Sequence, residues 1–146
     1  MRALALLLAG MVLAPAAGAT ESFSGRYDHR TDGPPDPVWT LRDTATGVRM
    51  ERHDGLSLPV RALDGGELAQ LWSRLDWPAD TAAAVSCMGW ADEPGPFSQP
   101  FVGTLTAVIC RVPAAARARI DWLRDNASDW IYYDTGFGVT ALRRFD

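Results

Sequence analysis

The residues best suited to catalysis in this chain are its two histidines, His29 and His53, each with aspartates close by. Asp28 and Asp32 flank the first histidine, and Asp54 follows the second. An imidazole beside a carboxylate is a common general base, and both residue types also bind metals. Neither an H-x-x-x-H nor an H-E-x-x-H spacing occurs, so the sequence predicts no metal site and no cofactor.

The triplet Asp134-Thr135-Gly136 has the D-T-G sequence of an aspartic protease, in which two such aspartates share a proton. Only ten residues follow Gly136, which leaves no room for the strands that would complete such a lobe. Asp and Gly are also ordinary turn residues, because Asp accepts backbone hydrogen bonds and Gly tolerates positive φ. We therefore interpret the triplet as a turn.

The first nineteen residues predict export. Arg2 is followed by an apolar run over residues 3–13 and by the small-residue sequence Ala17-Gly18-Ala19, the layout of a signal peptide cleaved before Thr20. The domain organisation is therefore a signal peptide, 1–19, and a single domain, 20–146. The apolar run is shorter than the roughly 20 residues that cross a bilayer, so we expect no membrane span after cleavage and a periplasmic or secreted protein.

Export also changes the interpretation of the two cysteines, Cys87 and Cys110. In an oxidising compartment an even pair of cysteines most simply forms one disulfide. The spacing is not C-x-x-C, so a redox-active role is the weaker alternative. A bridge between them would also remove both thiols as candidate nucleophiles.

The charge of the chain argues against binding to nucleic acid. All 14 basic residues are arginine, and loss of Arg2 with the signal changes the formal charge from −4 to −5. An acidic domain without a basic stripe repels phosphate backbones. The composition therefore favours a protein or glycan partner over a nucleic acid.

The pattern of apolar residues predicts several short strands. Alternation is clearest in the hairpin formed by residues 38–43 and 48–53, where Trp39 and Leu41 share a face. Further strands are predicted at 23–30, 58–63, 82–88, 101–112, 130–134 and 139–145. The two cysteines lie in strands 82–88 and 101–112, whose continuous apolar runs are typical of strands covered on both faces.

Two helices are predicted between these strands. The first runs from Asp64 to Trp77, because Asp64 and Glu67 fit a capping box ahead of an apolar stripe. The second runs from Pro113, a favoured first helical position, to about Asn126. The order β-β-β-α-β-β-α-β-β predicts an α+β domain, in which two helices pack on a mostly antiparallel sheet stapled by one disulfide.

Aromatic residues are the best candidates for a binding site, since the chain contains six tryptophans. Several of them do not fit the predicted core: one ends a helix, one opens a proline-rich loop, and one lies off the inner stripe of the second helix. Exposed aromatic residues near arginines are typical of interaction surfaces. The predicted binding residues are Trp77, Trp90, Phe97, Phe101 and Trp122.

These observations favour an exported, non-enzymatic binding domain that recognises a protein or a cell-wall glycan, as an inhibitor or an immunity protein does. The alternative is a small envelope hydrolase that uses His29 or His53 with a nearby aspartate. A third possibility is a carrier of a small ligand, which would need an apolar cavity between helix and sheet. The sequence identifies neither the ligand nor the oligomeric state.

Overall fold

Residues 21–146 fold into a closed barrel of eight antiparallel strands, as described by a computed structural model. Each strand pairs with its neighbour in sequence, and the last pairs with the first. The predicted signal peptide lies outside the described residues. The strands are β1 (Gly25–Asp28), β2 (Trp39–Thr44), β3 (Gly47–Arg52), β4 (Ser57–Ala62), β5 (Ser86–Trp90), β6 (Ala107–Arg111), β7 (Trp130–Asp134) and β8 (Gly138–Phe145).

The predicted α+β fold is therefore wrong. The protein is largely β, and the sheet closes on itself instead of lying under two helices. Closure depends on the pairing of Arg26, Tyr27 and Asp28 in β1 with Phe145, Arg144 and Arg143 in β8. Because these segments are separated by almost the whole domain, no local pattern signals their pairing.

Alternation along the strands fills the barrel with large side chains. In the hairpin of β2 and β3, Leu41 lies opposite Met50 and both point inward, as the sequence pattern predicts. The inward residues form one apolar core, which the closed sheet surrounds. Its buried members are Phe23, Tyr27, Trp39, Leu41, Met50, Val60, Trp90, Ala107, Ile109, Trp130, Tyr132 and Leu142.

A second core lies outside the barrel against β5, β6 and β7. Helix α1 (Gly65–Arg74) buries Leu68, Leu71 and Trp72 there, and it begins with the predicted capping box between Asp64 and Glu67. The predicted disulfide is also present, because Cys87 and Cys110 face each other across β5 and β6. The central strands are thus covered on both faces.

The second helix is much shorter than predicted. Helix α2 covers only Ala114–Arg117, and a 3-10 turn at Asp121–Leu123 follows it. Between them Ile120 adopts an extended conformation, which lets Ile120 and Leu123 both reach the outer core. Arg117 also turns inward and donates to the Val112 carbonyl.

The two ends of the barrel differ, and this difference positions the candidate site. At one end, the connections 63–85 and 112–129 carry the helices. At the other end, here called the loop end, the strands are joined by the loops 29–38, 53–56, 91–106 and 135–137. Arg144 and Trp130 fill the interior near the helix-bearing end, where the guanidinium lies 4.9 Å from the ring centroid. The loop end is where the interior opens.

A candidate binding cavity at the loop end of the barrel

A cavity of about 440 Å³ opens at the loop end and reaches the inward faces of the strands. This volume lies within the range of about 300–1,000 Å³ that is typical of small-ligand sites. The mouth of a barrel is also one of the places where such sites occur, since eight strands leave room for side chains and one small ligand.

Three aromatic residues from β2, β5 and β7 form the deep wall of the cavity. Trp39 begins β2 and stacks on Tyr132 of β7, with ring centroids 4.3 Å apart and planes 22° apart. Trp90 ends β5 and lies 6.1 Å from the same tyrosine ring. All three side chains are buried, and their fixed packing pre-forms an apolar wall for a ligand.

An ion-paired arginine forms the polar side of the wall. Arg52 lies opposite Trp39 in the register of β2 and β3, so its side chain also points inward. Its guanidinium donates to Asp54 of the next loop and, over 2.9 Å, to Asp92 after β5. Hydrogen bonding to Arg52 lowers the pKa of Asp54 to about 2, so this carboxylate is charged at neutral pH. Thr106 in turn accepts from the backbone N–H of Asp92 and fixes its position.

Asp134, at the end of β7, is a buried carboxylate in the same wall. It accepts a 2.7 Å hydrogen bond from the Tyr132 hydroxyl and two more from the backbone N–H groups of Gly136 and Phe137. Burial raises the pKa of Tyr132, and the hydrogen bond to Asp134 raises it further, so the phenol stays neutral. These bonds are consistent with the predicted turn at 134–136.

Two exposed phenylalanines flank the mouth of the cavity. Phe97 is 70% exposed and Phe137 is 80% exposed, although both rings line the opening. Their loops are tied together, since the Gln99 N–H donates to the Thr135 hydroxyl over 2.9 Å. A Cβ atom at Gly136 would lie only 2.2 Å from the Phe97 carbonyl oxygen, so glycine is required for this contact. The rim is thus apolar but held in place.

The two histidines both line this cavity, at its exposed margin. His29 Nδ1 lies 3.9 Å from Asp28 Oδ1, which is beyond hydrogen-bond distance. Although burial alone would raise the pKa of Asp28, hydrogen bonds from the N–H groups of Arg30 and Asp36 lower it. Asp28 therefore accepts hydrogen bonds from the backbone of loop 29–38 and does not orient the imidazole of His29. Among residues 21–146, no three His, Cys, Asp or Glu side chains are grouped to hold a metal ion.

The structure separates the five aromatic residues predicted to bind a partner. Trp90 and Phe97 line the cavity. Trp77 and Phe101 instead pack in the outer core, where Phe101 meets Tyr133 edge-on at 5.0 Å. Trp122 is 84% exposed in a separate groove beside Trp77, at the helix-bearing end.

Sequence reasoning missed most of the cavity wall. Trp39 was assigned to the core, Asp134 to a turn, and Arg52, Asp92 and Tyr132 were not selected at all. Trp39, Arg52 and Asp134 occupy inward positions at strand ends of the loop end. A charged residue at an inward position of an otherwise apolar alternation was the available signal, as at Arg52, which follows Met50 on the same face of β3.

Comparison with known protein families, curated proteins and solved structures finds no match to this chain. No helix in the range 21–146 has the length and apolar character needed to cross a membrane. The functional argument therefore depends on the cavity itself.

Proposed function

We propose that this protein is an exported, non-enzymatic binding protein that holds one small, partly apolar ligand in the mouth of its barrel. The observation that carries the proposal is the 440 Å³ cavity with its wall of Trp39, Trp90 and Tyr132. Burying aromatic surface contributes to ligand affinity, and a wall that is already packed loses little entropy on binding.

The geometry favours a small ligand over the other two kinds of partner expected from the sequence. A sugar needs many free hydrogen-bonding groups, but Asp134, Tyr132 and Thr106 in the wall are already bonded within the protein. A protein partner needs a broad surface, whereas the aromatic groups here are concentrated in a concave site. The cavity lies in the barrel mouth rather than between helix and sheet, where a carrier was expected to have it.

A fluorescence titration with N-phenyl-1-naphthylamine, a neutral aromatic probe, tests the proposal. We expect saturable binding to the oxidised protein, because the probe emits more strongly in an apolar site. The variant Thr140→Trp places a large ring at a half-buried position of the cavity wall and should abolish the signal. Thr40→Trp, at an outward and half-buried position of β2, is the matched control and should bind normally. Binding that is absent, or equal in the two variants, would refute the proposal.

The second candidate function is a hydrolase with His29 or His53 as the general base. The observation in its favour is that both histidines line one cavity. It predicts that His29→Ala together with His53→Ala abolishes turnover of a substrate. Our proposal instead predicts that this double variant still binds N-phenyl-1-naphthylamine, and that no ester or amide fitting the cavity is cleaved by the unmodified protein.

A further inference from the structure

We infer that the ligand of the cavity is an organic cation of the quaternary ammonium class. This inference depends on the proposed function, because it specifies the ligand of that same site. It is drawn from the surplus of negative charge in the wall, the aromatic lining, and the hydrogen bonds that the polar groups already make.

The charge at the cavity is negative. The guanidinium of Arg52 pairs with the carboxylates of Asp54 and Asp92. Asp134 adds a third carboxylate at the cavity wall. Burial is the main cause of the raised pKa of Tyr132, followed by the hydrogen bond to Asp134. The negative charges of Asp134 and Asp92 raise this pKa further, against the opposing charge of Arg52. A cation entering the site would offset this surplus.

Other guanidiniums near the loop end are directed away from the cavity. Arg143 faces outward on β8, where it donates to the Gly33 carbonyl and lies 3.5 Å from Asp28. Arg30 pairs with Asp36 in the exposed part of its loop. Neither side chain lines the cavity, so neither neutralises the surplus carboxylates there.

Aromatic faces complement this charge. The ring quadrupole of tryptophan, tyrosine or phenylalanine attracts a cation, and the attraction is greatest where water is excluded. Trp39, Trp90 and Tyr132 form the deep wall, and Phe97 and Phe137 extend the lining to the rim. Together they can surround a cationic headgroup and also contact an apolar substituent.

The existing hydrogen bonds select the kind of cation. Asp134 accepts three bonds, and Asp92 accepts from Arg52 and from the N–H of Glu93. These carboxylates therefore supply charge but few free acceptor positions. A primary ammonium would have to find its three acceptors among carboxylates that are already hydrogen-bonded, whereas a quaternary ammonium donates no hydrogen bonds and has none to replace.

Three compounds of the same shape test this inference in displacement of N-phenyl-1-naphthylamine from the oxidised protein. Choline carries a quaternary nitrogen, 3,3-dimethylbutan-1-ol replaces it by carbon, and 3,3-dimethylbutanoate carries a negative charge. We expect choline to bind about tenfold more tightly than the alcohol, and the anion to bind weakest. The variant Asp92→Asn should reduce the preference for choline over the alcohol severalfold. Asp125→Asn, at an exposed position in the 112–129 connection, should leave both unchanged.

The outcomes separate this inference from the proposed function. If the probe binds but the alcohol or the anion displaces it as well as choline does, the ligand is not a cation and the inference fails alone. An unchanged preference in Asp92→Asn, or no displacement by choline, would also overturn it. If the probe itself does not bind, the proposed function is refuted, and the inference about the ligand is refuted with it.

Discussion

At the scale of single residues, Arg117 shows how much one buried charge contributes to this fold. Its guanidinium donates to the carbonyl oxygens of Val112 and Asn126 and, over 2.6 Å, to a carboxylate oxygen of Asp129. These acceptors lie at both ends of the connection between β6 and β7. One side chain therefore closes this connection.

We predict that Arg117→Met lowers the free energy of unfolding by about 3 kcal/mol, because two carbonyl groups and the Asp129 carboxylate lose the hydrogen bonds that Arg117 donates. Urea unfolding with the disulfide intact measures the change. Arg119→Met is the matched control, since the ion pair of Arg119 with Asp80 is exposed and its loss should have little effect on stability. Equal losses in the two variants would show that Arg117 has no special role.

At the scale of elements, the loops 91–106 and 135–137 form the rim of the cavity as one unit. We predict that Gly136→Ala separates them, because the new methyl group would collide with the backbone of Phe97. Hydrogen exchange should then rise in both loops while β6 and β7 stay protected. Gly95→Ala is the control, since a Cβ atom there meets no neighbour within 4 Å. Exchange that rises equally in both variants, or in neither, would contradict this account of the rim.

The elements also show what the sequence could predict. The hairpin of β2 and β3, the capping box of α1 and the disulfide were all predicted, because each depends on residues close in sequence or on a single pair. The barrel was not, because its closure depends on distant strands. The cavity wall was missed for the same reason, since Trp39, Trp90 and Tyr132 meet only after closure.

At the scale of the whole molecule, two buried tyrosines in the barrel interior link stability to pH. Burial raises the pKa of Tyr27 and of Tyr132 above the ordinary value of 10.0. As the pH rises past about 10, the unfolded chain releases these protons before the folded chain does. Their contribution to stability is therefore complete below pH 10 and is lost as the pH rises toward the folded-state pKa.

We predict that the free energy of unfolding falls as the pH rises above about 10, and that the fall is smaller in Tyr132→Phe. The two proteins are compared by the slope of the free energy of unfolding against pH. Its absolute value differs for another reason as well, because the variant also loses the hydrogen bond to Asp134. An identical pH dependence in the two proteins would show that Tyr132 ionises normally in the folded state.

The central claim is that the mouth of the barrel holds a small ligand, and the tryptophans provide its most direct test. Fluorine NMR of protein labelled with 5-fluorotryptophan reports on each ring separately during titration with 2-naphthol, a soluble neutral aromatic. The account predicts that the resonances of Trp39 and Trp90 shift, because both rings line the cavity, while those of Trp72, Trp77, Trp122 and Trp130 do not. Shifts confined to Trp122 or Trp77, or no shift at any ring, would contradict it.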